Sequence, residues 1–319
     1  MSGGRRVVWQ AARILVSAGL IAILLLKISP ARIAGEIRQL DPAWLAAAVL
    51  VFLASSLLGS IQWHLLLRAG GVPMSLRRTM ALYFTGLFFN NLLPTNIGGD
   101  VYKIYDVSRS GHDPHRVFAV TLLDRIFGIT GLCLLAIGAT AALLALGHRG
   151  PLPLYLLIFA GCLAPVALLA ANRRLSSGLR RTLGRIGLWG IGRRIELVLG
   201  HLGALRGLGV LLGRITLLTL SIQFLRIATH VAVARSLGIS PGPTDLLYFY
   251  VFVPLLGLIM TLPISLNGLG VREGAGVLLF TRIGLLEAQA FLMEFITYVV
   301  MVVVSLVGGA LFLRRQLRR

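Results

Sequence analysis

Apolar residues fall in long runs along this chain, and the runs set its architecture before any single residue does. They cover 9–28, 43–67, 79–93, 117–146, 152–171, 210–234, 246–263 and 288–313, with a weaker run at 274–286. Several reach the roughly 18 to 20 residues that cross a hydrocarbon core. The pattern predicts an all-α polytopic membrane helix bundle, with 1–319 forming one integral membrane domain. Two of the runs dissolve partway. FFNNLLPTNIGGDVYK, residues 88–103, begins as apolar helix and ends as polar, glycine-rich chain. TLPISLNGLG, residues 261–270, does the same.

Charge placement decides how the runs cross. Residues 172–208 hold Arg173, Arg174, Arg180, Arg181, Arg185, Arg193, Arg194 and Arg206 against Glu196 alone. If all eight strong runs crossed, with Arg5 and Arg6 inside, this loop would lie outside, against the positive-inside rule. If the chain instead turns back at Pro94–Gly99 and again at Pro263–Gly270, every basic cluster becomes cytoplasmic, including Arg314, Arg315, Arg318 and Arg319. The expectation is therefore six spans and two re-entrant segments in the cell inner (plasma) membrane, with both termini cytoplasmic. The loop 172–208 carries Leu175, Leu179, Leu183 and Ile186 at helical spacing. It reads either as an interfacial segment attracting anionic lipid or as a solvated linker. Arg5 and Arg6 precede the first run, Arg13 lies early in it, and no small-residue cleavage site follows, so a retained first span is expected.

A repeat supports this topology. Arg68 and Arg235, Gly71 and Gly238, and Tyr83 and Tyr250 share one offset (235 − 68 = 167), and Pro94 and Pro263 differ by two more (263 − 94 = 169). The chain reads as two inverted halves, 9–146 and 152–313, each with three spanning helices and one re-entrant segment. Inverted repeats with interrupted helices point to a transporter site near the midplane.

Composition fits the same class. Hydrophobic residues make up 57% and charged residues 13%, against about 25% charged in soluble domains. The net charge of +20 would suggest nucleic acid in a soluble protein. Here the arginines flank apolar runs, so membrane lipids, anionic ones above all, are the expected partners, and no nucleic acid. Cys133 and Cys162 fall in apolar runs, and His112, Asp113 and His115 read as loop. No cofactor, metal site or catalytic set is expected.

The candidate chemistry lies at the two breaks and at charges inside apolar runs. Non-helical backbone in a bilayer must line a cavity or be buried, and its helix ends can hold an anion. The first break offers Asn91, Pro94, Asn96, Gly98, Gly99, Asp100 and Lys103. The second offers Pro263, Asn267, Gly268, Gly270, Arg272 and Glu273. Asp124, Arg125, Arg226 and Glu294 sit within apolar runs, where charge is costly and faces a partner or water. Arg125, Arg226 and Arg272 suit a phosphate, since a guanidinium donates bidentately. Arg125 and Glu294 share the prolines' offset (294 − 125 = 169) and so could pair across the twofold axis. An internal ion-pair network that only holds the bundle together reads equally well.

NNLLPTNIGGDVYKIYDVSRSG, LLDRIFG and LPISLNGLGVREGAGVLLF resemble the signature stretches of the lysylphosphatidylglycerol synthase transmembrane-region family, flippase-like integral membrane proteins. The resemblance covers most of the chain. It implies a helical membrane fold and a role in lipid translocation, the lipid being a phospholipid, a polyprenyl-linked glycan lipid or a hopanoid. Full synthases of the family carry a cytosolic aminoacyltransferase domain after the membrane part. This chain reaches Arg319 directly after its last apolar run, so aminoacylation of phosphatidylglycerol is not expected of it. Two alternatives to a lipid transporter stay open. One is a membrane-embedded enzyme of lipid or lipid-linked glycan synthesis, with Asp100 or Glu273 catalytic. The other is a noncatalytic partner of lipid-synthesis enzymes.

Overall fold

A computed structural model describes residues 19, 23, 24, 26, 28, 30–92, 97–171, 209–261 and 268–317. Most of the expected first span, the arginine-rich loop 172–208 and the centres of both breaks lie outside the described residues. Within them the regular structure is helical: α1 (Pro30–Arg38), α2 (Pro42–Ala69), α3 (Leu76–Leu92), α4 (Gly98–Ser108), α5 (Pro114–Ala145), α6 (Leu152–Ala171), α7 (Gly209–Ser236), α8 (Pro243–Ile259), α9 (Val271–Phe280) and α10 (Glu287–Leu317).

Helix starts follow local chemistry. Asp41 and Asp113 precede Pro42 and Pro114, and each carboxylate accepts a backbone N–H two residues on, from Ala43 at 2.8 Å and His115 at 2.9 Å. These are side-chain N-caps with proline at the first helical position. Asp245 closes the start of α8 by accepting the Gly242 N–H at 2.9 Å. Among the described residues, four helices are long and apolar enough to cross a membrane, α2, α5, α7 and α10. By contrast α3 and α8 have 17 residues each. At 1.5 Å per residue that is about 25 Å, short of the roughly 30 Å hydrocarbon core.

The centre of the bundle is the α2–α7 pair. Ser55, Ser56, Gly59 and Ser60 make a buried small-residue stripe on α2, and Gly59 leaves room for the Tyr83 side chain of α3, which a Cβ would meet. The serine hydroxyls donate to carbonyls of their own helix, Phe52 and Leu57, so their burial leaves no lone donor. The helices run antiparallel. Asp41 N–H donates to the Ser236 carbonyl at one end, at 2.8 Å, and Thr219 meets Gln62 toward the other.

Around this pair stand two helical hairpins. In the first, α4 folds back along α3. Gly99 lies against the Gly86 carbonyl, where a Cβ would collide. Arg78, near the start of α3, reaches Asp106 at 3.6 Å and also Ser110, both near the end of α4. The chain thus returns to the level from which α3 set out. In the second, α9 packs beside α8 through Phe280, whose ring lies 4.9 Å from Phe249 and 5.5 Å from Phe252. Each hairpin follows the C-terminal end of α2 or α7. Because those helices are antiparallel, the hairpins open at opposite ends. Their packing corresponds as well: α3 lies on α10, and α8 lies on α5.

The two ends differ in charge. Among the described residues, the end holding Arg68, Arg77, Arg78, Arg109, Arg116, Arg314 and Arg315 is relieved by Asp106 and Asp113. At the other, Arg38, Arg149, Arg235 and Arg282 are matched by Glu36, Asp41, Asp245 and Glu287. Arg315, near the end of α10, donates to Asp106 at 2.6 Å, fastening that helix to the first hairpin.

Candidate functional site

The first break yields the denser site. α4 opens with Gly98, Gly99 and Asp100, all buried. The Gly99 N–H at this helix start donates to Asn90 Oδ1 at 2.8 Å, so a side chain from α3 caps α4. Asp100 is 7% exposed and Lys103 5%. The Lys103 ammonium lies 2.8 Å from Asp100 Oδ1. Arg125, from α5, places Nε at 2.8 Å and Nη2 at 2.7 Å from Asp100 Oδ2. One aspartate thus receives two cations. Lys103 also lies over the rings of Trp63 and Tyr83, at 4.9 and 5.4 Å from their centroids, a cation–π seat strengthened by burial.

A polar belt extends from this group. Asp124 Oδ1 accepts from Gln62 Nε2 at 2.9 Å, and Gln62 Oε1 accepts the Thr219 hydroxyl at 2.7 Å. Gln223 Nε2 donates to the Gly128 carbonyl at 2.9 Å. Arg226, Asp124, Lys103 and Arg125 all act electrostatically on the Tyr83 phenol, and Arg226 Nε is buried without a hydrogen-bond partner. Lys103 and Arg125 therefore face Asp100, while Arg226 lies on the Tyr83 side of the group. The Arg125 side chain is 48% exposed. One edge of its guanidinium holds Asp100.

The second break yields a different site. Gly268 and Gly270 adopt φ of 80° and 81°, the left-handed region that glycine enters freely. Glu273 Oε2 accepts the Gly270 N–H at 2.6 Å, closing the start of α9. The Arg272 guanidinium lies 5.2 Å from the Tyr298 ring centroid. Glu294, fully buried, faces His230 across 3.6 Å.

The expected residues therefore divide. Asp100, Lys103, Asp124, Arg125 and Arg226 come together at the first break. Arg272, Glu273 and Glu294 gather at the second, and Asn91 is half-buried at the end of α3. Pro94, Asn96, Pro263 and Asn267 lie outside the described residues. Arg125 pairs with Asp100, whereas the shared proline offset had pointed to Glu294. α5 and α10 start 173 residues apart (287 − 114), so the offset of 169 does not bring the two residues to matching helix positions.

Gln62, Trp63, Tyr83, Asn90, Thr219, Gln223 and His230 belong to these clusters but were not among the expected site residues. Their signal was polar atoms within apolar runs, as in IQWH and SIQFLRIATH.

The family described as lysylphosphatidylglycerol synthase TM region matches residues 10–309. The chain belongs to this family. It is an integral, multi-pass membrane protein of lipid-related function. Among curated proteins it is similar to a UPF0104 membrane protein of Pyrococcus horikoshii, 25% identical over 119 residues, covering 36% of each chain. A UPF0104 membrane protein of Methanothermobacter thermautotrophicus is 27% identical over 118 residues, covering 35% of this chain and 34% of that one. The matched segments thus span about a third of the length of either relative. No solved structure matches the chain.

Proposed function

We propose that this member of the family is a lipid transporter that moves an anionic lipid between leaflets, with the headgroup held at the first break. The observation that carries the reading is the gathering of Lys103 and Arg125 on one buried carboxylate, Asp100, beside the first break. A phosphate reaching this group can exchange with Asp100 on the guanidinium, whose paired N–H donors suit two oxygens. The two hairpins support a transport cycle. They are too short to span, they open at opposite ends, and they pack on corresponding partners, which reads as an inverted repeat with two re-entrant segments. The enzyme reading is less favoured, because Asp100 is held in two ion pairs and Glu273 Oε2 closes a helix start.

The test is lipid exchange in proteoliposomes, using labelled lipids with anionic, cationic, zwitterionic and polyprenyl-phosphate headgroups. Exchange selective for anionic headgroups is expected. Arg125→Ala should slow it by about tenfold or more, the loss of roughly one charge-assisted hydrogen bond. Exchange that is unselective, or indifferent to Arg125→Ala, would sink the reading.

Orientation carries its own prediction. The arginine-rich end should face the cytoplasm, with both termini on that side. A cysteine at His112, at that end, should resist a membrane-impermeant thiol reagent added to whole cells. A cysteine at Arg149, at the other end, should be labelled. The opposite pattern would invert the topology.

A further inference from the structure

The second break differs from the first in one substitution of roles. Asp100 is the third residue of α4 and Glu273 the third of α9; Lys103 is the sixth and Gly276 the sixth. Where the first hairpin carries a lysine, the second carries no side chain. Glu294, from α10, fills the space instead: a Cβ on Gly276 would stand 2.5 Å from Glu294 Cγ. The exchange replaces a cation with a second carboxylate. Glu294 is 0% exposed and Glu273 1%. Neither Glu294 oxygen has a hydrogen-bond partner, and Glu273 Oε1 has none. A bare carboxylate in such a place is strongly unfavourable.

The side chain that faces Glu294 explains how it is tolerated. His230 Nε2 lies 3.6 Å from Glu294 Oε2. Its other nitrogen, Nδ1, lies 3.1 Å from the Arg226 carbonyl oxygen. A carbonyl only accepts, so Nδ1 carries a hydrogen. In the neutral ring Nε2 is then a bare acceptor turned toward a carboxylate. Two bare acceptors 3.6 Å apart repel, and a single proton on either group removes the repulsion. Either Glu294 carries it as a neutral acid, or Nε2 carries it and faces the carboxylate as an ion pair. Both forms hold one proton, and both leave the pair neutral overall.

We propose that His230 and Glu294 form a proton-binding site inside the bundle, and that its loading and unloading couples a proton gradient to movement at the two breaks. Binding takes one proton from water and changes the pair from one negative charge to none. Release leaves a buried carboxylate with no donor, so it requires water or a cation to reach the site. Nearby charged and titratable groups are Glu273 and Arg272 on α9, Arg226 on α7 and Tyr298 on α10. Helices α1, α2 and α3 also pack on α10, and among the described residues they supply Glu294 with no ion-pair partner. Arg226 joins the two breaks. Its carbonyl orients the His230 ring, and its guanidinium belongs to the first cluster. The coupling half of this proposal rests on the transporter reading; the proton site does not.

The experiment has two arms. In the first, infrared difference spectra of the protein in lipid nanodiscs are titrated with pH in H2O and D2O. A protonated-carboxyl band that shifts in D2O is expected. It should be lost in Glu294→Gln, moved in Glu294→Asp and kept in Glu273→Gln. Absence of the band in the wild type, or its survival in Glu294→Gln, overturns the proton site. In the second arm, lipid exchange in proteoliposomes is followed with and without an imposed pH gradient. The wild type should respond to the gradient and Glu294→Gln should lose the response. A wild type with the band but no response to the gradient overturns the coupling. A wild type with the band and no lipid exchange at all leaves the proton site standing and removes the transporter reading.

Discussion

Asp100→Ala is expected to lower the stability of the protein by about 3 to 5 kcal/mol, the loss seen when one partner of a buried ion pair is removed. Lys103 is the reason for so large an effect. Its ammonium lies in a buried seat between Asp100 and the rings of Trp63 and Tyr83. Without the carboxylate it keeps the aromatic faces, which offset only part of the cost of burying a charge. Arg125 contributes less to the loss, because its half-exposed side chain can turn toward solvent or a headgroup. The double variant Asp100→Ala, Lys103→Met should recover much of the loss, since no uncompensated lysine then remains. Thermal denaturation in one detergent, read for the wild type, both single variants and the double, closes the cycle. A double variant no more stable than Asp100→Ala would show that the pair is not what holds this corner of the bundle.

The second large effect belongs to a helix crossing. Gly308 of α10 lies against the backbone of α3, where a Cβ would overlap the Phe84 carbonyl. The same crossing brings the Gly308 carbonyl 3.4 Å from the Thr85 hydroxyl. Its neighbour Gly309 meets the Phe88 ring first, at 2.9 Å, and a ring can swing aside. In both places alanine gains about 1 kcal/mol of helix propensity over glycine. Overpacking against backbone costs about 1 to 3 kcal/mol, occasionally more. Gly308→Ala should therefore be clearly destabilising, since neither backbone can yield unless the helices part. Gly309→Ala should fall near neutral. The midpoints of the two variants in a thermal melt make the comparison, and equal losses would refute the close crossing.

Much of the fold was legible in the chain. The runs 43–67, 117–146, 210–234 and 288–313 became α2, α5, α7 and α10 with edges within a few residues, because a span must be apolar along its whole length. The runs 79–93 and 246–263 became the short helices α3 and α8. The weak run at 274–286 became α9. What was lost was the helical return after the first break. Gly98–Ser108 reads as glycine-rich and polar, and α4 forms there because the Gly86 contact admits Gly99 and the Arg125 and Lys103 pairs hold Asp100. The charged residues of the site were legible singly, since a charge in an apolar run needs a reason. Their partners were not. Gln62, Gln223 and His230 are uncharged or weakly basic, so they do not interrupt a run. Only the packing of α2, α5, α7 and α10 shows what they meet. Likewise, equal spacing suggested Arg125 with Glu294, while hairpin geometry gave Arg125 to Asp100.

The α2–α7 pairing has a consequence for synthesis. Gln62 meets Thr219 across 157 residues of chain, and Asp106 meets Arg315 across 209. At about 5 to 20 residues per second, Gln62 waits roughly 8 to 30 s for its partner, and Asp106 somewhat longer. During that interval the first half of the chain has left the ribosome with Gln62 held by Asp124 and Asp106 by Arg78. A chain halted after α6 would therefore keep the Gln62 carbonyl oxygen and one side of the Asp106 carboxylate without their late partners, a half-satisfied state that quality control can read.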